Sequence, residues 1–206
     1  MTAPLRLAVL GDSIAFGTGA ARAEDALGPR LARELRREGF EPELTVLAVP
    51  GAVSGDLAAQ VRRAAPLRAG LAVVVVGAND LARFVPAPAA AAALGAAVAD
   101  LRAGGTDVVV VPAPDMSSIP FVPPVLRPAV QAACRVLQEG QAAVARAHGA
   151  VVAPVAAEVG RAFGADPAMF AADRFHPSSA GYARIAAALA PTVLAVARDR
   201  RERRAA

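Results

Sequence analysis

Four short apolar runs, residues 5–10, 44–49, 71–76 and 108–111, are rich in valine and leucine and stop at a glycine or proline. A weaker fifth run covers 150–154. Mostly apolar runs of this length predict strands covered on both faces, as in a parallel sheet. The segments between them carry apolar residues at helical spacing. In 24–37, Leu27, Leu31 and Leu35 recur every fourth position, and Gly39 stops the pattern. Helices are also expected over 54–64, over the alanine-rich 87–102, and over 125–148 with an interruption near Gly140. The last helix follows Pro177, with Ser178 or Ser179 as N-cap. Its apolar face is Tyr182, Ile185, Leu189, Val193 and Val196.

Strand followed by helix, about five times over, predicts a single three-layer α/β/α domain. It is doubly wound and flavodoxin-like, with a central parallel sheet of order 2-1-3-4-5. Ligands of such sheets bind outside the carboxyl ends of the strands. Chemistry is therefore expected in residues 11–19, 50–56, 77–83, 113–124 and the loop before the last helix.

Composition fits this picture. A chain of 206 residues, 55% hydrophobic, supports one buried core. There is no lysine, so all 22 basic residues are arginine, and the sequence pI of about 10.7 rests on a formal charge of only +4. Much of that charge sits at the end, where five arginines meet Asp199 and Glu202. The expected division is a domain over 1–197 and a basic tail over 198–206, whose arginines complement a helix C-terminus. The body does not look like a nucleic-acid binder. Cys134 is the only cysteine, so no internal disulfide forms. No metal-ligand cluster stands out, and no metal or cofactor is expected. The N-terminus lacks a signal-peptide pattern and 86–99 is too weakly apolar to span a bilayer, so a cytoplasmic protein is expected.

The first strand runs into Gly11-Asp12-Ser13. A serine hydroxyl is a poor nucleophile until a base takes its proton. The chain has two histidines. His148 closes a helix before Gly149, a capping position. His176 lies on the loop before the last helix, three residues after Asp173, which is placed to accept its Nδ1–H bond. Acyl transfer also needs donors to a developing oxyanion. The backbone N–H of Ser13, the N–H of Gly51 after strand two, and the side-chain amide of Asn79 after strand three are the candidates. Asp12 and Asp80 are read as braces for their loops. In the 113–124 loop, Met116, Ile119 and Phe121 are candidate apolar contacts for a substrate.

These blocks, GDSIAFGTGA, VPGAVSG, VGAND and DRFHPSSAGY, occur in the order and span of the SGNH hydrolases, also called GDSL hydrolases, which the chain resembles. The resemblance implies Ser13 as nucleophile, His176 as base, Asp173 as its orienter, and Ser13, Gly51 and Asn79 as the oxyanion hole. Gly51 fits the family spacing better than Gly55. Ile14 stands in place of the leucine of the GDSL signature, and the second block lacks a preceding asparagine. The implied activity is hydrolysis of a carboxylic ester, thioester or O-acetyl group on a small molecule. The alternative is an inactive module of the same fold that binds a carbohydrate or acyl ligand.

Other site types fit less well. Gly17-Thr18-Gly19 is followed by Arg22 where a dinucleotide fingerprint needs a third glycine, and no phosphate-binding GxxxxGK[ST] exists. An α/β-hydrolase elbow would place the serine mid-chain and its acid and histidine on separate loops.

Overall fold

The computed structural model describes residues 4–206, the side chains of 156–158 excepted. In chain order it contains β1 (Leu5–Gly11), α1 (Ser13–Phe16), α2 (Leu27–Arg37), β2 (Pro42–Val46), α3 (Leu57–Ala64), β3 (Leu71–Val75), α4 (Ala78–Ala82), α5 (Ala87–Ala103), β4 (Asp107–Val111), α6 (Arg127–Ala147), β5 (Val151–Val152), α7 (Ala156–Ala165) and α8 (Ser179–Ala205). The five strands form one parallel sheet in the order β2-β1-β3-β4-β5. This is the three-layer arrangement and the strand order that the hydrophobic pattern predicts.

Alternating side chains of each strand serve opposite layers. Leu7, Val9, Val73, Val75, Val109 and Val111 pack with α2 and α8. Ala8, Leu10, Ala72, Val74, Val108 and Val110 pack with α3, α5 and α6. Both faces are apolar, which is why the strands read as continuous runs.

Several boundaries differ from expectation. The 24–37 segment opens with a 3-10 turn at Ala23–Asp25 before α2 begins. There Arg30 grips both the carboxylate and the carbonyl of Asp25. Residues 54–64 likewise begin with a 3-10 turn. The second strand lies earlier than 44–49, because the ladder pairs Pro42–Val46 with Leu5–Val9. Helix α6 is unbroken at Gly140. A Cβ at Gly140 would lie 3.3 Å from that of Ala91, so this glycine serves close packing against α5. Helix α7 was not expected. Gly160 and Gly164 weaken its local signal, and Val159 and Phe163 fasten it to the core.

Helix α8 is long and apolar enough to cross a membrane by length and composition, but half of its apolar window is buried within the molecule. Tyr182, Ile185, Leu189 and Val193 form its core face. The arginine-rich end continues the same helix to Ala205.

Candidate active site

Ser13 stands at the carboxyl end of β1, as the first residue of the single-turn α1. Gly11 makes the approach possible. Its φ is +131°, and a Cβ there would lie 1.7 Å from the Val75 carbonyl oxygen, so no other residue fits. A buried glutamine then locks the strand end. Gln60 Oε1 accepts from Gly11 N–H at 2.7 Å, and Gln60 Nε2 donates to Gly11 O at 2.8 Å.

The same device recurs one strand over. Gln141 accepts from Ala113 N–H at 2.8 Å and donates to Val76 O at 2.9 Å, tying the ends of β3 and β4. Both glutamines are buried. Neither was singled out from sequence, although a polar residue on an otherwise apolar helical stripe was the available signal: Leu57, Gln60, Val61, Ala64 in α3, and Leu137, Gln141, Ala145 in α6.

His176 lies across from Ser13. Its Nε2 is 3.1 Å from Ser13 Oγ, and its Nδ1 is 2.6 Å from Asp173 Oδ2. The other Asp173 oxygen accepts from the backbone N–H of Phe175 and His176. Desolvation pushes the Asp173 carboxyl up, but the bonds from the imidazole and the two N–H groups outweigh it and hold the group below its ordinary value. Phe175 packs edge-on against the imidazole, with centroids 5.0 Å apart. The loop is closed by Ala171 N–H to His176 O and by Ser178 N–H to Met169 O, and Ser178 caps α8.

Helix α8 also reaches the serine loop. The Tyr182 hydroxyl donates to Thr18 O at 2.8 Å, and Ser179 Oγ accepts from Ala21 N–H. Histidine and serine are thus referenced to one helix end.

Asn79 lies in the first turn of α4, just after β3, and its amide donates to Ala52 O at 3.0 Å, beside Gly51. Gly51 is half-buried in the turn after β2, with the Arg83 guanidinium nearby. Ser13, His176 and Asp173 are therefore joined directly, while Asn79 is joined to the Gly51–Ala52 turn.

Asp12 and Asp80 are fully buried. Asp80 accepts from Ser54 N–H and Oγ–H, and Asp12 accepts from Ile14 N–H at 2.9 Å. Both brace loops, as their positions suggest. The second Asp12 oxygen is buried without a hydrogen-bond partner. Desolvation, aided by the charge of Asp80 and opposed by the N–H groups of Ile14, Gly77 and Ala78, raises the Asp12 carboxyl to about 6.

A small apolar cavity of about 90 Å³ adjoins Ser13 and His176. Met116 and Ile119 line it, together with Val111, Val155, Phe163 and Phe170. Phe121 does not. It is exposed, with the Arg174 guanidinium 5.9 Å from its ring centroid, because Ile119, Phe170 and Phe175 already fill the adjoining cluster.

Residues 9–184 match the model of the GDSL-like lipase/acylhydrolase family. The chain is 35% identical over 185 residues to a GDSL-like esterase of Mycobacterium tuberculosis. That alignment covers 87% of this chain but 58% of the esterase, so the chain spans less than two-thirds of that relative's length. Among solved structures, TesA superimposes with a TM-score of 0.77 at 24% identity, covering 93% of this chain and 99% of TesA. The acetylxylan esterase Axe2 of Geobacillus stearothermophilus, as a catalytic mutant, gives 0.71 at 18% identity, covering 91% and 94%. At these identities the structural likeness establishes the fold.

Proposed function

We propose that the chain, which belongs to the GDSL-like lipase/acylhydrolase family, hydrolyses carboxylic esters through an acyl-enzyme on Ser13. The observation that carries this reading is the continuous relay from Asp173 through His176 to Ser13, with contacts of 2.6 and 3.1 Å. His176 Nε2 takes the hydroxyl proton as Ser13 Oγ attacks the ester carbonyl. Asp173 holds the Nδ1–H tautomer and stabilises the imidazolium. The tetrahedral oxyanion is held by Ser13 N–H, Gly51 N–H and the Asn79 amide. One of the two amide N–H bonds of Asn79 goes to Ala52 O, which leaves the other for the oxyanion. His176 then protonates the leaving alcohol, and a water activated by the same imidazole releases the acid.

The cavity beside Ser13 sets the acyl group. It is small, about 90 Å³, and lined by apolar side chains, which favours a short acyl chain. Nothing in the site favours an inactive binding module, since the nucleophile, base and orienter are all present and joined.

Purified protein and its Ser13→Ala variant should be assayed on p-nitrophenyl esters of increasing acyl length. Wild type is expected to turn over acetate and butyrate best. The variant is expected to lose several orders of magnitude in kcat. A folded wild type that cleaves none of these esters and takes no label from a fluorophosphonate would overturn the reading.

A further inference from the structure

Much of the wall of the apolar cavity beside Ser13 is one piece of chain. Pro112, Ala113, Pro114, Met116 and Ile119, all from the loop after β4, line it. The sheet gives this loop little support. The β4 ladder ends at Val111 on the β3 side and at Val110 on the β5 side. Pro112 and Pro114 have no N–H to give, so Ala113 carries the one backbone donor of these three residues.

Helix α6 supplies the bonds that the sheet does not. Residues 131, 134, 138 and 141 are three or four apart, which puts them on one face of the helix. All four bond to the loop. Gln141 Oε1 accepts from Ala113 N–H at 2.8 Å, and Gln138 Nε2 donates to Ala113 O at 2.8 Å. Cys134 Sγ accepts from Met116 N–H at 3.4 Å, and Gln131 Nε2 donates to the Asp115 carboxylate at 3.3 Å. Ala113, Met116 and Cys134 are buried, so water does not replace these partners while the loop stays packed.

The four side chains divide by what else they hold. Gln141 also donates to Val76 O at 2.9 Å, just before Gly77, Ala78 and Asn79. It therefore serves the Asn79 side of the site as well as the wall. Among the described residues, the side chains of Gln138 and Cys134 bond only to the wall.

We infer that Gln138 and Cys134 are positioning residues that set the acyl length the site accepts. They act through Ala113 and Met116, which fix where the cavity ends. This rests on the esterase reading above and on entry of the acyl group into this cavity. Two backbone points held from behind keep the cavity at about 90 Å³. A fixed apolar wall discriminates by about tenfold for an extra methylene. A wall released from α6 yields to a longer chain, and that discrimination weakens.

The readout is the ratio of kcat/KM for p-nitrophenyl butyrate to that for p-nitrophenyl octanoate. Gln138→Met keeps the length of the side chain and has no N–H, and its ratio should fall about tenfold below that of wild type. Gln138→Lys restores a donor at this position and should bring the ratio back toward wild type. Cys134→Ala removes the acceptor for Met116 N–H and should lower the ratio in the same direction. A merely structural loss would slow both esters alike and leave the ratio in place. An active wild type whose ratio is unchanged in folded Gln138→Met and Cys134→Ala would overturn the inference and leave the esterase reading intact. Calorimetric titration with butylboronic and octylboronic acids, which add to an active-site serine, makes the same comparison without turnover. Gln138→Met should favour the octyl acid over the butyl acid more than wild type does, and an identical preference in the two proteins would overturn the inference. Wild type that cleaves neither ester and binds neither acid would remove the esterase reading and this inference with it.

Discussion

The two ends of the sheet handle polar groups in opposite ways. At the amino end, charges pair with one another, although the Arg200 Nε stays buried without a hydrogen-bond partner. Asp107, at the start of β4, accepts from Arg102, Arg200 and Arg203. Arg198 pairs with Glu38, Arg6 with Glu43, and Arg201 lies over the Phe40 ring at 4.6 Å. At the carboxyl end, buried polar side chains serve the backbone. Gln60, Gln141 and Asp80 each satisfy loop or strand-end groups, and Asp12 keeps one oxygen unpartnered. Left-handed non-glycine residues occur at both ends, at Phe84 and Arg174 here and at Arg68 before β3. The amino end joins helix to sheet. The carboxyl end spends stability to hold particular atoms in place, which is the pattern of a functional site.

If this contrast is right, substitutions at the two ends should fail in different assays. The largest effect separates them most clearly. Asn79→Ala should lower kcat by about two to three orders of magnitude, as loss of one oxyanion donor does. Its stability should fall by only about 1 kcal/mol, the bond to Ala52 O. Steady-state kinetics beside urea unfolding would show the split. An unchanged kcat would remove Asn79 from the mechanism.

Much of this division was legible before any coordinates. Valine runs ending in glycine or proline define four of the five strands, because a sheet covered on both faces leaves no alternation to confuse. The catalytic candidates were legible because Gly11, Asn79 and the Asp173–His176 spacing are local features at strand and helix ends. What escaped was non-local. Gln60 and Gly11 are 49 residues apart, and nothing in either segment announces their pairing. Helix α7 escaped because it is held by Val159 and Phe163 against the core rather than by its own propensity. Phe121 was misplaced for a related reason. An apolar residue in an apolar loop reads as pocket lining, and only the packing of Ile119, Phe170 and Phe175 shows that the inner positions are taken.

The next effect concerns pH and the carboxyl end. Asp12 has a folded pKa of about 6 against 3.8 for an unperturbed carboxyl, so the folded state binds its proton more tightly than the unfolded state. Stability from this group is present at low pH and is lost as pH rises from about 4 through about 6. The difference is worth about 3 kcal/mol. Asp12→Asn keeps an oxygen for the Ile14 N–H and cannot ionise. Its melting temperature should not show this fall and should exceed that of wild type at neutral pH. Parallel curves for the two proteins would show that Asp12 is not titrating in that window.

The amino end should answer pH with the opposite sign, and by less. Burial pushes the Asp107 carboxyl up, but Arg200, Arg102 and Arg203 together hold it below its ordinary value. Stability from this group is therefore complete above pH 4 or so and is lost as pH falls through the depressed folded value. Asp107→Asn should cost about 2 kcal/mol at neutral pH. That is less than a fully buried pair would lose, because the side chains of Arg102 and Arg203 are 37% and 57% exposed and water screens them. Acid unfolding of the variant should be flatter than that of wild type, and its kcat on a soluble ester should be unchanged. A fall in kcat would mean that the amino end reaches the site through α8, whose first turn holds the serine loop and whose last turns hold Asp107. The two ends would then be one device, and the separation between stability and chemistry would not hold.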